Sequence, residues 1–208
     1  MKKMPIRKIF RLDLKLIKAN SAFIIFAIFI AAGVITGVLC YKNSDILREE
    51  ATELFNSHYQ FHNQNNFFLI AGQTLLNFIP LILVSFVVGT SATGCVLIPV
   101  LPLTAGFLFG IISGYLYDSQ QIMGVVYNLL VMLPSSLVAF FGLLLCCRES
   151  FGFSKLLATM CINSGRCFNL YADFKNYCIR YIVILALFIV YALIDASLAS
   201  LFTKYFKF

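Results

Sequence analysis

Apolar residues run along this chain in five long blocks, separated by short polar stretches. The blocks are Ser21–Cys40, Phe67–Thr90, Cys95–Tyr117, Ile122–Cys147 and Cys178–Phe202. Each holds the roughly 20 apolar residues that a helix needs to cross the ~30 Å hydrocarbon core of a bilayer. The pattern predicts an all-α, polytopic membrane bundle of five transmembrane helices, forming one integral domain over 1–208. The first block exceeds the 7–15 apolar residues of a signal peptide, so it is expected to be an uncleaved anchor. Two links, Ser91–Gly94 and Asp118–Gln121, are so short that the flanking helices must pack as antiparallel hairpins.

Two longer segments lie between blocks. In 41–66, Asn43 or Ser44 is placed to cap a helix. Leu47, Ala51, Leu54, Phe55 and His58 follow at helical spacing, so one face is apolar. Asp45, Glu49, Glu50 and Glu53 make the remainder acidic. Such a helix either docks a partner through Asp45, Glu49, Glu50, Glu53, Leu54 and Phe55, or lies over the ends of the bundle. His58 and His62 stand four apart, but a zinc site needs three or four ligands and no HExxH pattern is present, so no metal site is expected. In 148–177, Phe168, Tyr171 and Phe174 recur beside Arg166 and Lys175, which suits a helix lying in the headgroup layer.

Composition agrees with the pattern. Hydrophobic residues make up 61% of the chain and charged residues 12%, with a mean hydropathy of +0.90. A soluble domain carries about 25% charged residues, so an ordinary soluble enzyme and a disordered chain are both excluded.

The net charge of +7 changes the picture through its placement. Seven basic residues (Lys2, Lys3, Arg7, Lys8, Arg11, Lys15, Lys18) precede the first block. Read as a topology signal and a contact with anionic lipid, they place the N-terminus in the cytoplasm. No nucleic-acid motif accompanies them, so no nucleic-acid partner is expected. With five spans the C-terminus is then extracytoplasmic, 41–66 is an outer loop and 148–177 a cytoplasmic one. That arrangement puts twelve basic residues inside and four outside. Cys95, Cys146, Cys147, Cys161, Cys167 and Cys178 fall on the inner side or at its boundary, where thiols stay reduced. Cys146 and Cys147, at the membrane edge, are sites for close packing or for acylation. The expected location is the bacterial plasma membrane, as a multi-pass protein.

Within the spans, Gly106, Gly110 and Gly114 form two GxxxG steps in register, and Gly33–Gly37 forms another. Glycines four apart make a groove that admits a second helix. Pro80, Pro99, Pro102 and Pro134 each remove a backbone donor and are expected to kink their helices. Asp195 is the one carboxylate well inside a span, about 7–8 Å from its middle at 1.5 Å per residue. An intramembrane acid is a functional hypothesis by default. Its candidate partners are neutral: Asn77, Gln73, Asn128, Ser135 and Ser136. There is no GxSxG, no P-loop and no intramembrane protease pair, so no enzyme and no cofactor are expected.

The stretch Gly106-Phe107-Leu108-Phe109-Gly110-Ile111-Ile112-Ser113-Gly114-Tyr115, then Gly124, Leu130-Val131-Met132-Leu133-Pro134 and Phe153-Ser154, resembles the stage II sporulation protein M family. In that family a glycine-ladder span leads to a proline-centred fourth span, with a Phe-Ser pair on the cytoplasmic side. The family usually has an amide or histidine pair after that proline, where this chain has Ser135 and Ser136. The resemblance implies a non-enzymatic membrane scaffold that anchors and localises peptidoglycan hydrolases during forespore engulfment, with cell-wall hydrolases as extracytoplasmic partners. Helix packing through Gly33, Gly37, Gly106, Gly110, Gly114 and Pro134 would hold the bundle. The alternative, drawn from the span prolines and Asp195, is a permease-like subunit of a transporter whose partner is an ATPase subunit.

Overall fold

A computed structural model describes residues 21–64, 66–162 and 170–202. The N-terminal basic cluster, Arg166, Cys167, Phe168, Lys204, Lys207 and the side chain of His58 lie outside the described residues. The described chain is all helix: α1 (Ser21–Asn43), α2 (Asp45–Gln64), α3 (Phe67–Gly89), a single turn α4 (Gly94–Leu97), α5 (Val100–Ser119), α6 (Gln121–Tyr127), α7 (Leu133–Ile162) and α8 (Leu170–Phe202). A π-helical turn, Asn128–Met132, joins α6 to α7. Five segments are long and apolar enough to cross a membrane: Ser21–Asn43, Phe67–Gly89, Gly94–Ser119, Gln121–Ile162 and Leu170–Phe202. Ile28, Leu83, Val87, Leu129 and Ile182 are among their exposed apolar side chains, which is how a helix turned to lipid is patterned.

The helices divide into a pair and a trio. α1 and α5 share the most extensive packing in the molecule, while α3, α7 and α8 pack on one another. α7 also touches α1 and α5 and so joins the two groups. Contrary to the hairpin expected from the short Ser91–Gly94 link, no appreciable packing joins α3 to α5: the turn α4 intervenes, α5 packs on α1 instead, and a groove is left between them.

The third span is not one straight helix. α4 ends at Leu97, and α5 restarts with Pro99 at its N-cap. Proline is tolerated in a first helical turn, where the missing N–H has no helical partner anyway. In the fourth span, Pro134 has no N–H for the Leu130 carbonyl, and its ring crowds that carbonyl. The preceding turn widens, so that Leu133 N–H donates to Asn128 O, five residues back. The Ser135 hydroxyl then donates to Val131 O and Met132 O, both at 3.1 Å. That is a local repair of the ladder the proline interrupts.

The described residues of 148–177 belong to two long helices rather than to a separate one. Residues 148–162 continue α7, and α8 is already helical from Leu170. Nothing between Cys147 and Ile162 breaks a helix except Gly152. The buried stripe also continues through Ser150, Phe153 and Ser154. Phe174 packs against Phe153, and Phe153 stacks on Tyr177 with ring centroids 4.6 Å apart. Gln121–Ile162 spans 42 residues, about 60 Å of helix, so it passes well beyond a ~30 Å core. Cys146 and Cys147 face the protein interior and are fully buried, a placement that offers no thiol for acylation.

Candidate functional site

The glycine-lined helices meet each other. A β-carbon at Gly33 would collide with Leu103 O, and one at Gly37 with Phe107 O. On the facing side, a β-carbon at Gly106 would strike Ile30 O, and one at Gly110 would strike Val34 O. At Gly114 an added β-carbon would come within 3.1 Å of the nearest Tyr41 ring carbon. Glycine at these positions lets the two backbones touch, which recovers dispersion contact where lipid supplies no hydrophobic drive. Gly33 and Gly37 pair with Leu103–Ile111, and Tyr41 with Gly114, so α1 and α5 run parallel.

α2 follows α1 after a single residue, Ser44, whose carbonyl accepts the Arg48 N–H. Asp45 in the first turn favours the helix electrostatically. Ala51, Phe55, Tyr59 and His62 are buried, and their spacing puts them on one face. This face lies across the ends of α5, α6 and the π turn. Phe55 is 1% exposed and packs on Tyr59, Tyr115 and Tyr127 at centroid distances of 5.3–5.9 Å. Phe55 therefore anchors α2 to the bundle rather than facing a partner. Asp45, Glu49, Glu50, Glu53 and Leu54 stay on the exposed face.

At its far end the same buried face reaches Asp195. The Thr74 hydroxyl donates to Asp195 Oδ2 at 2.9 Å, and His62 Nε2 lies 3.3 Å from the same oxygen. An ionised carboxylate only accepts, so Nε2 then carries the proton. Thr74, His62 and Asp195 are all buried, at 5–6% exposure. Asp195 thus has a histidine partner that the sequence did not indicate. The neutral residues named for it make other bonds: Gln73 donates to Asn77 Oδ1 at 3.3 Å, and Ser135 and Ser136 donate backward along their own helix. Asn128 donates to Tyr117 Oη at 2.7 Å and Ser113 Oγ at 3.2 Å. A frame of 51–55–59–62 would have found His62. A frame ending at Leu54 and His58 points the face a quarter-turn away.

Two cavities meet at His62. One, about 290 Å³, occupies the groove between α3 and α5, with α7 and α8 as its floor. The other, about 460 Å³, lies under α2. They share His62, Asn77, Ile112 and Met132.

The opposite end of the bundle is closed by hydroxyls. The Ser150 hydroxyl donates to Ser85 O at 2.9 Å and contacts Tyr181 Oη. Tyr177 donates to Phe86 O at 3.1 Å, and Ser154 to Ser91 O at 2.7 Å. Ser154 thereby ties α7 to the turn that enters α4.

The family model described as stage II sporulation protein M matches residues 22–200. No curated protein and no solved structure matches the chain.

Proposed function

The chain belongs to the stage II sporulation protein M family, and from that premise we propose that it is a non-enzymatic membrane scaffold. In this reading it anchors and localises peptidoglycan hydrolases during engulfment, and the α2 end of the bundle is extracytoplasmic. One observation carries the reading. α2 is fixed to the bundle by Phe55, Tyr59 and His62, so the acidic surface of Glu49, Glu50 and Glu53 is held rigidly outward. A rigid acidic face suits a basic partner, through electrostatic complementarity and steering.

The test is a mild-detergent pull-down from native membranes with mass spectrometry of what co-purifies. Wild type should recover peptidoglycan hydrolases, and the triple variant Glu49→Lys, Glu50→Lys, Glu53→Lys should insert normally and lose them. Recovery unaffected by charge reversal would sink the reading. A second reading rests on the buried Asp195–His62 contact beside a cavity. There the chain is a permease-like subunit served by an ATPase, Asp195→Asn abolishes solute flux, and a nucleotide-binding protein co-purifies.

A further inference from the structure

One side of α3 carries exposed polar groups deep in its span. Gln73 and Asn77 are both exposed, and Asn77 adjoins Phe78, the middle residue of Phe67–Gly89. The two amides hydrogen-bond to each other at 3.3 Å, and among the described residues neither side chain makes a second bond. Whichever way the amides are turned, that bond leaves one carbonyl oxygen and one NH2 group unused. Hydrocarbon offers neither a donor nor an acceptor to meet them.

The same side of α3 is patterned for a second helix. Leu69, Leu76 and Leu83 recur every seventh residue and are each more than half exposed. Gln73, Pro80 and Val87 alternate with them in steps of four and three, and are exposed too. This is the seam of a left-handed coiled coil, with leucine at every d position and Gln73 at an a position. The leucines alone would suit lipid equally well; the amides would not. Asn77 then falls at an e position, which faces the g position of a parallel partner. The g residue is Gly72, where an added β-carbon meets nothing within 4 Å. That opening leaves room for the Asn77 side chain of a facing helix.

The unused groups select the occupant. It must bring one donor and one acceptor to this depth. A second copy does so by symmetry, because a twofold axis along the membrane normal sets identical residues at the same depth and makes the patch meet itself. We propose that this side of α3 is the interface of a parallel homodimer, in which the Gln73–Asn77 amides of one copy hydrogen-bond with those of the other. The interface is independent of the scaffold reading, because it does not use the acidic face of α2.

The experiment uses the full chain in native membranes, with its seven cysteines replaced by alanine and single cysteines introduced for oxidative cross-linking. Leu69→Cys, Leu76→Cys and Leu83→Cys should each give a disulfide-linked homodimer. Ile28→Cys and Ile182→Cys, comparably exposed on α1 and α8, should stay monomeric. In liposomes, energy transfer between two labelled populations gives the dissociation constant. Gln73→Leu combined with Asn77→Leu should raise it about tenfold, the scale of interhelical polar contacts in membranes. Gly72→Phe, placed where one chain has room of its own, should raise it likewise. Cross-links as strong at Ile28→Cys or Ile182→Cys as along α3, a monomer throughout, or a dissociation constant unmoved by either variant would each overturn the proposal. So would Leu76→Cys trapped on a different protein in place of a second copy.

Discussion

The Asp195 carboxylate on α8 and the His62 imidazole on α2 lie 3.3 Å apart, although 133 positions separate them in the chain. The contact joins the helix that lies across the bundle to the last helix within it. It also accounts for an acid at a depth where insertion scales charge ~2.5–3.5 kcal/mol at the centre of a span. The acid is not alone in hydrocarbon, because Thr74 and His62 both reach it.

Removing one partner exposes that dependence. His62→Ala leaves Asp195 buried with one hydrogen bond fewer, and it should lower stability by about 1–3 kcal/mol. Asp195→Asn keeps an acceptor for Thr74 and removes the charge. The double variant should therefore be less destabilised than the sum of the two singles. A denaturant titration in detergent, arranged as a double-mutant cycle, measures this; strict additivity would show that the two side chains are not coupled.

The α1–α5 seam predicts an asymmetry between glycines. Gly110→Leu drives a side chain into the Val34 carbonyl, a backbone group that cannot rotate away. Its cost should reach or exceed the ~3 kcal/mol upper end usual for overpacking. At Gly72 an added β-carbon meets nothing within 4 Å, so Gly72→Ala should stay within about 0.5 kcal/mol of wild type. The same unfolding assay separates the two, and equal effects would contradict the packing.

Leu54 and Phe55 are neighbours with opposite fates. Phe55 is fully enclosed and Leu54 is 49% exposed. Phe55→Ala should cost about 3–5 kcal/mol, read as early loss of α2 protection in amide exchange. Leu54→Ala should leave protection intact and weaken partner recovery in the pull-down. If Leu54→Ala instead destabilised α2 as much as Phe55→Ala, the face assignment would be reversed.

Much of this was legible in the chain. Five apolar blocks gave five spanning segments, because lipid forces each backbone to satisfy itself within a helix. The glycine spacing at 106, 110 and 114 marked a helix face that touches a neighbour, but spacing alone could not say that the neighbour is α1. Two things were not legible. The continuation of α7 to Ile162 is driven by Ser150, Phe153 and Ser154 meeting α3, α8 and the turn before α4, contacts with no local signature. The Asp195 partner sits on a polar helix outside the apolar blocks, so a search confined to the spans passed over it.

Orientation is the remaining link between the fold and the scaffold reading, and thiol labelling decides it. Asp45 and Lys155 are exposed. Asp45 begins α2, and Lys155 lies on α7 near the Ser154–Ser91 contact, at the opposite end of the bundle. Seven native cysteines are first replaced by alanine. Asp45→Cys and Lys155→Cys are then introduced separately and treated with a membrane-impermeant maleimide on intact cells stripped of their wall. The scaffold reading takes the Lys155 end, with its excess of basic residues, as the cytoplasmic one. The expected result is labelling of Asp45→Cys in intact cells, and of Lys155→Cys only after permeabilisation. The reverse pattern would turn Glu49, Glu50 and Glu53 toward the cytoplasm, where no cell-wall hydrolase could reach them, and the anchoring role would have to be abandoned with the orientation.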